Sequence, residues 1–343
     1  MRRLILLLVL VAGIAAAVAG VYYARVDERF QGHPGVDQFV EIDPGTRSRA
    51  IGPALVSAGV VRDEWTFRLA VLLTGTERQL KAGEYRFAGP LSAKDVARKL
   101  ARGDIYLRPI TFPEGLTLAE MAHVYETRGL GTARAFLDAA KDTSAVRTLD
   151  PAAKDLEGYL FPETYNVPRR MNAAALVGQM VGRFFKIYDA GMQEDATAHG
   201  LKMRDVVTLA SMVEKESSHD AERPQVAAVY ANRLRIGMGL QCDPTVIYAL
   251  EKAGHYNGNI TKKDLQFDSP YNTYKHAGLP PGPIAAPGRS SLEAVVRPAT
   301  VDYLYFVSRN DGTHVFATTL AEHNRNVKEW QVDYFKKLKA DTK

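Results

Sequence analysis

The residues best suited to moving a proton lie in Arg204-Asp-Val-Val-Thr-Leu-Ala-Ser-Met-Val-Glu-Lys-Glu-Ser-Ser218. Val206, Leu209, Ala210 and Val213 recur at i, i+3, i+4 and i+7, which predicts a helix with one buried face. Glu216 follows Val213 by three residues and prolongs that face at the helix end. Glu214 lies about 200° around the helix from Glu216, so the two carboxylates face different surroundings. One acid, not a pair, is thereby offered to a cleft. A carboxyl at the edge of an apolar face resists ionisation, which raises its pKa toward the value a general acid needs near neutrality. Taken alone, Glu-Lys-Glu also reads as an ordinary solvated helix end.

Other chemistries are poorly supplied. His314 and His323 are isolated, whereas a zinc site needs three or four convergent ligands, so no metal is expected. No glycine-rich phosphate loop follows a strand and opens a helix, and no Ser/His/Asp order stands out, so no cofactor is expected either. The single Cys242 excludes an internal disulfide and reads as a free, buried thiol. Basic residues exceed acidic ones by only 44 to 39 and are scattered along the chain, so no nucleic acid partner is expected.

The elements that must position Glu216 can be read in order. After Met1-Arg-Arg3, the uncharged stretch Leu4 to Tyr23 is twenty residues long, enough to cross a bilayer as a helix. The two arginines favour a cytoplasmic N-terminus with the rest of the chain on the far side, and Tyr22-Tyr23 suit the interface. Ala17-Val-Ala19 resembles a signal-peptide cleavage site, but the apolar run continues through it, which favours an uncleaved anchor over residues 1–25. Residues 26–38 carry Gly32, Pro34 and Gly35 and read as a tether.

A small α+β domain is expected over residues 39–110. Its elements are a strand at Phe39 to Ile42, a helix through Ile51, Leu55 and Ala58, and a second helix through Trp65, Leu69 and Leu72. A strand at Gly83 to Phe87 and a helix capped by Ser92 complete it. From Thr117-Leu-Ala-Glu120, a capping box, residues 111–339 read as mainly helical with a small β element. That stretch contains a long loop at 254–287, rich in Gly, Pro, Asn and Tyr. Such loops within compact domains are usually functional or disordered, and the aromatic residues between Tyr256 and Tyr274 argue against disorder. Ser290 to Glu293 reads as a further capping box, and Asn310-Asp-Gly312 turns one strand into the next. A last helix carries Val327, Trp330, Tyr334 and Leu338 on one side.

Several blocks closely resemble the endolytic murein transglycosylase (YceG-like) family. They are Leu209-Ala-Ser-Met-Val-Glu-Lys-Glu-Ser217 and the run from Glu222 through Gln241-Cys-Asp-Pro-Thr245 to Tyr248. Ser269-Pro-Tyr-Asn-Thr-Tyr274, Gly278-Leu-Pro-Pro-Gly-Pro-Ile284, Leu156-Glu-Gly-Tyr-Leu-Phe-Pro-Glu-Thr-Tyr165 and His323-Asn324 complete the set. The resemblance covers most of residues 111–339 in the family's order and implies a single membrane helix, a LysM-like small domain over 39–110 and a catalytic domain. It further implies a lytic transglycosylase acting on peptidoglycan glycan strands at the inner membrane, with the catalytic part periplasmic and peptidoglycan synthases as possible company. Glu216 matches the family's catalytic glutamate, and Glu214 would support it. Cys242 departs from the pattern, which more usually carries a small hydroxyl residue there.

In this reading Gln241, Asp243, Tyr271, Asn272 and Tyr274 are expected to bind sugar rings and acetamido groups. Asp-Pro-Thr is equally a helix start, and the loop residues could equally pin the loop. The proline-rich Leu279 to Ile284 would shape a wall. Two rival readings are a non-catalytic peptidoglycan-binding scaffold of the cell-wall synthesis machinery and an ordinary glycoside hydrolase. The hydrolase would need a second carboxylate from among Glu163, Asp243 and Asp268.

Overall fold

The computed structural model describes residues 2–336 and separates into two compact units. The first comprises residues 1–109 with Asn166–Arg170, and the second comprises Ile110–Tyr165 with the chain from Met171 onward.

The first unit opens with α1 (Arg2–Arg25), 24 residues of mean hydropathy 2.9 over its most apolar window and none of them buried. At about 1.5 Å per residue it is about 36 Å long, sufficient for a hydrocarbon core of about 30 Å. Short β1 (Arg29–Phe30) leads to β2 (Gln38–Ile42), then α2 (Ser48–Ser57) and α3 (Glu64–Thr74). β3 (Gly83–Phe87) returns antiparallel to β2 with Val40 opposite Tyr85, and β4 (Leu91–Ser92) pairs with β1. α4 (Ala93–Arg102) is capped by the Ser92 hydroxyl, which accepts from the Asp95 amide. Val40, Ile42, Leu55, Phe67, Tyr85, Phe87, Val96 and Leu100 form one core. In α3 the buried face is Phe67, Ala70 and Val71, while Trp65 and Leu72 of the sequence-read stripe point outward. Helical periodicity locates a helix but does not say which of two apolar faces meets the core.

β5 (Leu107–Thr111) pairs with β6 (Thr164–Pro168). In the second unit α5 (Leu118–Thr127) starts at the Thr117/Glu120 capping box, as its sequence requires. α6 (Ala133–Ala139), α7 (Ala173–Ile187) and α8 (Ala190–Ala198) precede the central helix α9 (Met203–Glu216). All of Val206, Leu209, Ala210 and Val213 are buried, because α9 packs against both α10 (Arg223–Arg235) and α12 (Arg289–Val296). α11 (Asp243–Lys252) precedes the long loop, and β7 (Tyr305–Ser308) and β8 (His314–Ala317) form an antiparallel hairpin.

The expected Ser290/Glu293 capping box does not form. α12 begins at Arg289 with Gly288 at its cap, and the Glu214 carboxylate accepts from the Gly288 amide at 2.9 Å and the Ser291 hydroxyl at 2.8 Å. α13 (Leu320–Val327) runs into a π-helical turn, Lys328–Asp333, which shifts the register of the expected Val327, Trp330 and Tyr334 face; Leu338 lies outside the described residues.

Candidate active site

α9 ends at Glu216 because Ser217 turns to an extended conformation (φ −125°, ψ 122°), and the Ser217 hydroxyl then accepts from the His219 amide. Glu216 thus stands at the last turn of a buried helix, with part of its surface open. Tyr230, on α10, donates its hydroxyl to Glu216 Oε1 at 3.2 Å. The fully buried Cys242, just ahead of α11, presents its thiol to the same carboxyl and to Tyr230.

Burial is the first cause that raises the Glu216 pKa above the ordinary carboxylate value, and the nearby Asp243 charge acts in the same direction. Cys242, Tyr230 and His314 partly oppose this. The partial negative charge of a helix C-terminus also favours the neutral acid. Burial likewise holds the Cys242 thiol and the Tyr230 phenol far above their usual pKa values, so both remain neutral. The site therefore offers one protonatable carboxyl among neutral donors.

Glu214 faces elsewhere, as the helical angle requires. Its Oε1 accepts from Arg223 Nη2 at 2.8 Å with both side chains 5% exposed, and its Oε2 holds the start of α12. Arg223 also donates through Nε to the Ser217 carbonyl, immediately beyond Glu216. Glu214 thereby braces the Glu216 end of α9 from another side of the helix.

Of the expected sugar-binding residues, Asp243 and Tyr274 lie near Glu216, and Gln241 immediately precedes Cys242. Asp243, exposed in the first turn of α11, accepts from the Tyr274 hydroxyl at 2.5 Å, and the Glu216 and Asp243 charges help to raise the Tyr274 pKa after burial and the Asp243 hydrogen bond. Gln241 is exposed and has a positive φ of 50°, one of two such non-glycine residues among those described. A strained backbone of this kind persists only where its surroundings enforce it. Here the Gln241 amide is tied to the Thr273 carbonyl, and the Cys242 amide to the Thr273 hydroxyl.

The other two differ from expectation. Asn272 is completely buried, and its amide donates both hydrogens within the loop, to the Leu265 and Phe267 carbonyls, while its oxygen accepts from the Tyr274 backbone. It holds the loop and has no free donor for a sugar. Tyr271 lies with its ring 5.0 Å from that of Tyr248 and lines a cavity of about 500 Å³ with Arg204, Lys252 and Pro281 to Pro283. Arg204 is twelve residues before Glu216 on α9, roughly 18 Å along the axis. The proline-rich segment shapes this far cavity: Arg204 donates to the Pro281 carbonyl, and the Ile284 amide donates to Ser211. Gly158 is required there, since a Cβ would come within 2.5 Å of Pro283. Of the three candidate second carboxylates, Glu163 is paired with Arg183 and Asp268 with Lys275, and only Asp243 influences Glu216.

Sequence reasoning missed Tyr230, the placement of Cys242 within the site, and the braces around them. Arg233, on α10, donates to the Leu304 and Leu240 carbonyls at 2.7 and 2.6 Å and lies 5.5 Å over the Tyr305 ring. His314 Nδ1 is 2.8 Å from Glu222. The available signal for Tyr230 was a phenol amid the small aliphatic residues of Val226 to Ala231, since a buried tyrosine hydroxyl usually finds a partner. No cluster of three or more His, Cys, Asp or Glu side chains suited to a metal occurs among the described residues.

Comparison with known proteins places this site in context. A profile of the YceG-like family matches residues 40–329. An endolytic murein transglycosylase of Bacillus subtilis is 33% identical over 83% of this chain and 82% of its own length. One from Streptococcus pneumoniae is 31% identical over 84% of this chain, which spans only 58% of that relative. The crystal structure of a YceG-like protein from Listeria monocytogenes superposes with a TM-score of 0.57 at 32% identity, covering 85% of this chain and 99% of that one. The chain belongs to the YceG-like family.

Proposed function

We propose that this chain is an endolytic lytic transglycosylase, cleaving the MurNAc-GlcNAc bond within peptidoglycan glycan strands and leaving 1,6-anhydro-MurNAc ends. The observation that carries the reading is the Glu216 carboxyl, at the end of a buried helix, with its pKa raised by burial and Tyr230 donating to it. Relatives named endolytic murein transglycosylases support the substrate class. Glu216 protonates the glycosidic oxygen as its bond to C1 of MurNAc breaks. The 6-hydroxyl of that MurNAc then bonds to C1 and returns its proton to the carboxylate. The acid is regenerated and no water is consumed, so one carboxyl suffices. Tyr230 steadies the carboxylate form, and Gln241, Asp243 and Tyr274 bind the sugars flanking the bond.

In the same reading α1 is an uncleaved inner-membrane anchor, the second unit is periplasmic, and the small unit is a LysM-like module. The enzyme then trims or terminates nascent strands beside the synthases. The proximity of Asp243 to Glu216 favours one alternative, a hydrolase with two carboxylates. Digestion of isolated peptidoglycan by the purified chain in heavy-oxygen water separates the two. Products lighter by one water and without label support the transglycosylase, whereas labelled reducing ends overturn it.

A further inference from the structure

The outward face of α3 bears Trp65, Leu69, Leu72 and Leu73, with Trp65 64%, Leu72 70% and Leu73 44% exposed. The opposite face, Phe67, Ala70 and Val71, already fills the core, so this second apolar face lies beyond what the unit's own packing needs. Contiguous exposed apolar surface of this kind marks a contact with a membrane or another protein.

Its neighbour identifies which. Val26, the first residue after α1, is completely buried against Ala70 of α3 and Ala93 of α4, with Leu69 packed on the same cluster. The Val26 carbonyl accepts from the Lys94 amide at 3.3 Å, and Lys94 Nζ pairs with Asp27 at 2.7 Å and lies 5.7 Å from the Tyr23 ring. The chain leaving α1 is therefore fastened to α3 without a flexible spacer. Trp65 and Leu73 are each four residues from Leu69, about 6 Å along the helix. A face this close to the end of a spanning helix falls within the layer, ~5–10 Å deep, that interfacial helices occupy. Tryptophan is enriched at that depth. The Arg68 guanidinium lies 5.3 Å over the Trp65 ring and 3.6 Å from Glu64, and a cavity of about 240 Å³ beside Leu72 is lined by Arg49, Arg68 and Glu77, with Arg49 suited to a lipid phosphate.

We propose that the α3 face carrying Trp65, Leu69, Leu72 and Leu73 docks into the headgroup region of the same bilayer that α1 crosses. The proposal rests on α1 being an uncleaved anchor, and it makes the first globular layer a second, peripheral membrane contact.

The test uses the full chain with Trp330→Phe, which leaves Trp65 as the sole tryptophan of the two present. It is reconstituted into vesicles of phosphatidylethanolamine and phosphatidylglycerol, with and without brominated acyl chains. The chain is expected to float with the vesicles, with Trp65 emission at least halved by brominated lipid and shielded from aqueous iodide. Adding Leu72→Glu, at a position outside the core, should reduce the lipid quenching several-fold and leave flotation unchanged. A chain that does not float removes the anchor and this proposal together. A floating chain whose Trp65 is open to iodide and untouched by brominated lipid keeps the anchor and overturns the docking. Shielding from iodide without lipid quenching means that protein covers the face, and it overturns the proposal equally.

Discussion

Glu214 and Glu216 are separated by a single lysine, yet the first accepts from Arg223 at 2.8 Å and the second from Tyr230 at 3.2 Å, on different sides of one helix end. The proposed mechanism gives them separable roles, bracing for Glu214 and proton transfer for Glu216. Glu216→Gln is expected to keep the fold, since its amide oxygen can still accept from Tyr230, and to lower turnover by ~10²–10⁴-fold. Glycan binding should persist. Thermal melting, pull-down on insoluble peptidoglycan and product mass spectrometry on one preparation check all three.

Glu214→Gln should act in the opposite order, on stability first. Glutamine keeps an acceptor for Arg223, which also pairs with Asp220 at 2.9 Å, so losing the buried charge-assisted bond costs about 1–3 kcal/mol. A loss in urea midpoint of that size, with residual activity following the folded fraction, is the expected result. An unchanged midpoint would contradict the bracing role.

The Cys242 thiol, buried and held protonated beside Glu216, is expected to be inert to maleimide in the native protein and to react fully once denatured. Cys242→Ser places a hydroxyl at this position and should retain activity within a few-fold. Labelling stoichiometry by intact mass, followed by a rate assay on the variant, tests both statements.

Stability should fall as pH rises, for a reason remote from Glu216. Glu157 is enclosed between the Leu118 amide and the Tyr248 hydroxyl, and burial pushes its pKa up from 4.5 to about 8. The native state therefore holds a proton that the unfolded chain releases above about pH 4.5. Its contribution is complete below that point and declines until about pH 8, a loss on the order of 5 kcal/mol at about 1.4 per unit. Urea titrations between pH 5 and 9 should show this slope, and Glu157→Gln should flatten it.

Asn272→Ala leaves two carbonyls of the long loop without their donor, so a loss of ~2 kcal/mol is expected. Tyr274→Phe, which removes only the bond to Asp243, should instead weaken glycan turnover at unchanged melting temperature. The pair distinguishes loop architecture from sugar contact.

Much of this was legible in the residues. The 3.6-residue spacing of Val206 to Val213 located α9 and the divergence of Glu214 from Glu216, but not the burial of α9 on every side, since Val207, Thr208, Ser211 and Met212 are buried as well. Local chemistry placed the Thr117 and Ser92 caps. Long-range partnership was not legible: Tyr230, Cys242 and Thr273 meet through packing of α10, α11 and the loop, and no spacing along the chain encodes that meeting. Tyr271 and Tyr274, three residues apart, offer the same aromatic chemistry in the sequence. The turn at Asn272 sends one toward Asp243 and the other toward Tyr248. At Ser290 the local cap motif lost to Glu214, a charged acceptor supplied from 77 residues away.

Asn166–Arg170 belongs to the first unit although it is encoded after α6, and Arg169 and Arg170 reach Glu84, Glu41 and Asp43 there. During synthesis from the N-terminus, that unit cannot close its charge network until 170 − 109 = 61 further residues have emerged. Its folding is thus vectorially delayed. A gene fragment cut at Pro109 would carry Glu84, 4% exposed, with Arg108 as its remaining arginine, so fragments or domain exchanges require the distant pentapeptide to be supplied with it.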